Sequence, residues 1–142
     1  MIQEDSKSLR NLWVMFMGWE NIKILLIEDN PGDVYLIEEH FEEFANFSYE
    51  LKIVETLDEA LRVLEKKHFD VILLDLELPD SYGINTFLNV HNKNPLIPII
   101  ILTGLSDRTI ESYARKIGAY DFWLRGKLKV DCWKILGNVP LN

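Results

Sequence analysis

Three apolar runs of four residues punctuate the chain, and each stops abruptly on a polar group. Ile24-Leu25-Leu26-Ile27 meets Glu28-Asp29, Val71-Ile72-Leu73-Leu74 meets Asp75, and Ile99-Ile100-Ile101-Leu102 meets Thr103-Gly104. Short branched runs without polar interruption suit strands buried on both faces of a parallel sheet. Leu51–Val54 and Tyr120–Leu124 read as two further strands, the latter ending on Arg125-Gly126. Between the strands the pattern changes to a helical period. Asn30-Pro31-Gly32-Asp33 supplies an N-cap, a proline at the first helical position and an early acid. Val34, Ile37, Phe41 and Phe44 then form an apolar face opposite Glu38, Glu39, Glu42 and Glu43. Thr56-Leu57-Asp58-Glu59 has capping-box spacing and opens a helix to about Lys67.

A loop carrying Pro79, Asp80, Ser81 and Gly83 leads to a third helix at Ile84–His91. Ser106 is placed to cap a fourth, with Ile110, Tyr113, Ala114 and Ile117 as its apolar face and Gly118 as its stop. A fifth carries Leu128, Cys132, Ile135 and Leu136. Five strands alternating with five helices predict an α/β fold, a doubly wound parallel sheet with right-handed crossovers. Residues 1–20 stand outside this alternation. Leu9, Leu12, Trp13, Phe16 and Met17 recur near helical spacing there, which makes the segment an extension with a short amphipathic helix. It is expected to pack on the domain, to mediate dimerisation, or to precede Met17 as the true start. The domain proper is then residues 21–142.

Length and composition narrow the class. A chain of 142 residues fits one domain with a core that needs no disulfide or metal staple. A formal charge of −8 and the lack of a Lys/Arg cluster argue against a nucleic-acid partner. The single cysteine, Cys132, forms no internal disulfide, which suits a reducing cytoplasm. Leu12–Trp19 is too short to span a bilayer and lacks a cleavage site of small residues. The expectation is a soluble cytoplasmic protein without a membrane partner.

Chemistry gathers at the strand ends. In parallel sheets ligands bind outside the carboxyl ends of the strands, where this chain places Glu28, Asp29, Asp75, Thr103 and Arg125. Three carboxylates at one edge are costly without a cation. Asp29 and Asp75 are hard oxygen ligands suited to Mg²⁺, and the longer Glu28 reaches it through water. Asp75 is the candidate nucleophile, since a carboxylate accepts a phosphoryl group as an aspartyl phosphate. Such a transfer needs positioning and cationic clamps, roles open to Thr103 and Arg125. His40, His68 and His91 have no ligand spacing and read as surface or cap residues.

With these residues in place, the sequence resembles the receiver domain of two-component response regulators, of the stand-alone type, over residues 22 to about 136. The resemblance rests on Ile24-Leu25-Leu26-Ile27-Glu28-Asp29-Asn30-Pro31 and Leu73-Leu74-Asp75-Leu76-Glu77-Leu78-Pro79-Asp80. It continues through Ile101-Leu102-Thr103-Gly104 and Gly118-Ala119-Tyr120-Asp121-Phe122. It implies a flavodoxin-like sheet and Asp75 as phosphoacceptor. Glu28 and Asp29 become the acidic pair, with Mg²⁺ also held by the backbone carbonyl of Glu77. Thr103 becomes the switch hydroxyl and Phe122 the switch aromatic. A histidine kinase is the implied phosphodonor, and a downstream protein or a histidine phosphotransfer protein the implied recipient of the signal. Such a protein catalyses only its own phosphoryl transfer and dephosphorylation.

The chain departs from the family at Arg125, where a lysine is usual; Lys127 is the other cation nearby. Arginine's planar, permanently charged fork does not replace a compact ammonium neutrally. That departure motivates a second reading, a receiver-like interaction module that is never phosphorylated. A third, a haloacid-dehalogenase-like phosphatase, needs Asp-x-Asp on the first strand, whereas position 77 is glutamate and the strand is the third. Trp123 and Trp133 flank the last strand and helix, where aromatics suit either core packing or a homodimer patch.

Overall fold

The computed structural model describes residues 21–45, 47–104 and 108–125. Five strands form one parallel sheet: β1 (Ile22–Ile27), β2 (Tyr49–Val54), β3 (Val71–Asp75), β6 (Ile99–Thr103) and β7 (Asp121–Leu124), in the order β2-β1-β3-β6-β7. Four helices connect them: α1 (Pro31–Phe44), α2 (Leu57–Lys66), α3 (Ile84–Lys93) and α4 (Arg108–Lys116). The predicted fifth helix, with Lys127, Cys132 and Trp133, lies outside the described residues, as do Ser106 and the 1–20 segment. Within the described residues no helix is long and apolar enough to cross a membrane.

Side-chain alternation divides the core into two layers. Ile24, Leu26, Val71, Leu73, Ile100 and Leu102 face α1, where Ile37 and Phe41 close the layer. Leu25, Ile27, Ile72, Leu74, Ile99 and Ile101 face the other way, toward Ala60, Leu64, Phe87, Val90 and Ala114 of α2, α3 and α4. Residues on β3 are therefore buried on both sides, which explains the unbroken apolar run.

Local signals set most element starts. The Asn30 side chain accepts from the Asp33 N–H at 3.0 Å, with Pro31 opening α1. Thr56 Oγ1 accepts from the Glu59 N–H at 3.1 Å and donates to Glu59 Oε1 at 3.2 Å. Gly118, with φ of 120°, ends α4 in a conformation closed to other residues, and an added Cβ would lie 3.1 Å from the His91 ring. That ring stacks on Phe87 with centroids 5.2 Å apart, and His91, in the last turn of α3, is half-buried.

Other departures from the pattern have physical causes. The loop after β3 folds into a small hairpin, β4 (Glu77–Leu78) with β5 (Ser81–Tyr82), too short to show a strand period. Of the apolar face expected for the fourth helix, Ala114 is buried and Ile117, just past the end of α4, packs on the core, whereas Ile110 and Tyr113 are exposed. Trp123 is core: it is 5% exposed, faces the α1 layer, and its Nε1–H donates to Asp121 Oδ2 at 2.9 Å. Trp123 is therefore unavailable to the homodimer patch expected on the last strand.

Asp80 at the hairpin turn caps a helix more than twenty residues away. Its Oδ1 accepts from the Leu57 N–H at 2.9 Å and its Oδ2 from the Asp58 N–H at 3.0 Å. Burial alone would raise its pKa, but these donors outweigh it and hold the carboxyl below its ordinary 3.8. A depressed acid stabilises the fold above its unfolded pKa and loses that contribution as pH falls through the folded value. Asp80→Ala is expected to cost about 1 kcal/mol at neutral pH, read from the urea midpoint, as for loss of an N-cap.

Candidate functional site

The parallel register builds the site. Ile27 pairs with Leu74, so the next residues, Glu28 and Asp75, stand side by side beyond the ladder. Asp75 pairs with Leu102, and Thr103 pairs with Leu124, which carries Arg125 to the same edge. Alternation then sorts the side chains. Glu28, Asp75 and Arg125 continue the positions that face α1, whose first turn carries Asp33. Thr103 ends β6, half-buried, among the alternating positions of the opposite face.

Glu28 and Asp75 are 0% and 1% exposed, and Asp29 beside them is half-buried. One carboxylate oxygen from each lies within 4.8 Å of the others. The Glu77 N–H donates to Asp75 Oδ1 at 2.9 Å, and Arg125 Nη1 donates to Asp75 Oδ2 at 3.0 Å. The same nitrogen reaches Glu28 Oε1 at 3.3 Å and Asp33 Oδ2 at 3.4 Å. Among the described residues Arg125 is thus the cation of the pocket, its side chain 17% exposed.

These contacts separate the acids. Burial first, then the hydrogen bond and charge of Asp75, push Glu28 up to about 8; the Asn30 N–H and Arg125 act in the opposite direction. Burial opposes the charge on Arg125, but Asp75, Glu28 and Asp33 outweigh it and raise its pKa. A proton on Glu28 and the Arg125 guanidinium thus offset the negative charge of the pocket. A proton and an arginine are both replaceable by a hard divalent cation, and the all-oxygen donor set suits Mg²⁺.

Of the residues singled out by sequence, the fold brings Glu28, Asp29, Asp75 and Arg125 together. Thr103 closes the neighbouring strand, Phe122 packs on the core of the opposite face, and Lys127 is outside the described residues. At Glu77 the structure shows an N–H directed at Asp75. Asp33 and Gly104 were not anticipated as site residues. Asp33 reads in sequence as a helix-start acid; its position one helical turn past Asp29 is the signal that it returns to the same edge. Gly104 lies beside Arg125 because Thr103 and Leu124 are in register.

A doubly wound sheet with a buried acidic pocket at its carboxyl edge defines a receiver-type module. The response regulator receiver domain model matches residues 24–125, and the chain belongs to that family. Among curated relatives, the transcriptional regulatory protein ZraR of Escherichia coli O157:H7 is 26% identical over 109 residues, covering 77% of this chain and 24% of that regulator. The chain thus spans about a quarter of that relative's length. Among solved structures, a CheY-like receiver domain protein from Methanospirillum hungatei JF-1 superposes with a TM-score of 0.69 at 22% identity, covering 83% of this chain and 92% of that one. The receiver domain of sensor histidine kinase PA1611 from Pseudomonas aeruginosa PAO1, which has a magnesium ion coordinated in its active-site cleft, superposes with a TM-score of 0.70 at 24% identity, covering 84% and 98%. These likenesses establish the fold, and the phosphatase alternative is not favoured.

Proposed function

We propose that this chain is a phosphorylation-dependent signalling receiver. Asp75 accepts a phosphoryl group from the phosphohistidine of a histidine kinase, with Mg²⁺ held by Glu28, Asp29, Asp75 and the Glu77 carbonyl. One observation carries the reading. Asp75 is a buried carboxylate at the end of the central strand, with one oxygen fixed by the Glu77 N–H and the other by a cation. In the transfer an Asp75 oxygen forms the new bond to phosphorus, the N–P bond of the donor breaks, and imidazole leaves. The metal would neutralise charge on the phosphoryl oxygens. Arg125 pairs with a phosphoryl oxygen, Thr103 hydrogen-bonds another, and the Thr103/Phe122 face shifts between two populated states.

The protein acts in the cytoplasm, signalling through a downstream protein or a histidine phosphotransfer partner. ZraR is named a transcriptional regulator, so the expectation of no nucleic-acid partner concerns this segment's own acidic surface and not any longer protein built around it. The second reading, an interaction module that is never phosphorylated, draws on Arg125 filling the acidic pocket.

Incubation with Mg²⁺ and acetyl phosphate distinguishes the two by intact mass. Here the acetyl C–O–P linkage breaks at phosphorus and acetate leaves. One added phosphoryl group, lost with Asp75→Asn and in chelator, is the expected result. A protein that stays unmodified while binding Mg²⁺ would favour the interaction module.

A further inference from the structure

The guanidinium of Arg125 stands among the acids that would hold a divalent cation. Its Nη1 pairs with two of the three clustered carboxylates, Glu28 and Asp75, and with Asp33 behind them. A dication and a guanidinium cannot share these oxygens without strong repulsion in a poorly hydrated pocket. A second feature gives the guanidinium room where it lies. A Cβ added at Gly104 would sit 2.8 Å from Arg125 Nη2, closer than real contacts allow. Gly104 does not have a positive φ and is exposed, so nothing in its backbone demands glycine. What its missing side chain provides is clearance for the arginine.

We propose that Arg125 is a tethered counter-ion that competes with the divalent cation for the acidic pocket, and that Gly104 provides the space in which it does so. The inference rests on Glu28, Asp29 and Asp75 being the cation's ligands. The receiver thereby carries its own occupant of the metal position. The guanidinium must leave Glu28 and Asp33 before a dication is held, which moves the site's readiness for phosphoryl transfer to higher Mg²⁺ concentration. Pairing with Asp75 alone remains open to the arginine after that move, because Oδ1 and Oδ2 already have different partners.

Isothermal titration with Mg²⁺ alone tests this on the full chain, its Arg125→Gln, Gly104→Ala and Asp29→Asn variants, and the double variant Arg125→Gln/Asp29→Asn. Arg125→Gln is expected to tighten Mg²⁺ binding about tenfold or more, by removing a full positive charge next to the ligands. Gly104→Ala leaves every charge in place and displaces only the guanidinium, so it is expected to tighten binding in the same direction by a smaller factor. Asp29→Asn should weaken binding in both backgrounds. Unchanged or weaker binding by Arg125→Gln, with Asp29→Asn still damaging, would overturn the competition and leave the ligand assignment standing. Binding indifferent to Asp29→Asn in every background would overturn the ligand assignment itself. Tightening by Arg125→Gln but not by Gly104→Ala would overturn the role given to Gly104.

Discussion

In chelator, Arg125→Gln is expected to lower the unfolding free energy by about 2–3 kcal/mol, somewhat below the usual cost of breaking a buried ion pair. The reasoning starts from burial. Asp75 and Glu28 are almost wholly removed from water, and among the described residues the one cation in contact with both is Arg125, at 3.0 and 3.3 Å. Glutamine keeps part of the side-chain bulk but leaves the carboxylates uncompensated. Two effects hold the loss below the full range. The Arg125 side chain keeps 17% exposure, so solvent already screens part of the pair. A carboxyl deprived of its cation also takes up a proton rather than staying charged. The measurement is the urea midpoint with and without Mg²⁺. By mass action a tighter-binding variant gains more from saturating metal, so Mg²⁺ should raise the midpoint of Arg125→Gln more than that of the parent. An unchanged midpoint in chelator would mean that water, not Arg125, already compensates Asp75.

The same pocket shows what a sequence does and does not disclose about its site. β1, β3 and β6 are visible because each carries four consecutive buried apolar residues, so Glu28, Asp75 and Thr103 are flagged by where an apolar run stops. Parallel pairing in register then makes these stops coincide in space. Arg125 follows the same logic less clearly, because β7 carries Asp121 within it. What was hidden depends on contacts distant in sequence. Asp80 looks like a turn residue until the hairpin folds against the start of α2. Asp33 looks like a helix-start acid until α1 lies on the face that Arg125 also reaches. Tyr113 fits the helical period of its neighbours, but only Ala114 and Ile117 of that set reach the core; a period gives a stripe, not the angle at which the helix docks. Gly104 carries no signal at all without the pairing of β6 and β7.

The second large effect is a dependence on pH that runs opposite to the usual one for a glutamate. In metal-free protein Glu28 is raised from 4.5 to about 8, chiefly by burial and then by Asp75. Between those values the folded state holds a proton that the unfolded chain has released. Stability is linked to that difference in bound protons, so the contribution from Glu28 is complete below about pH 4.5 and is lost as pH rises toward 8. The slope is at most about 1.4 kcal/mol per pH unit for one group. The charged groups around it are Asp75, Asp29, Asp33 and Arg125; the arginine stays charged throughout, so the trend follows the Glu28 proton itself. Glu28→Gln keeps the shape and removes the titration. In chelator, the variant's stability relative to the parent should therefore climb from pH 6 to pH 9, the parent losing what the glutamine never had. A constant difference across that range would mean that Glu28 is ionised in the folded pocket, balanced by Arg125 without a proton, and that two buried carboxylates share one guanidinium.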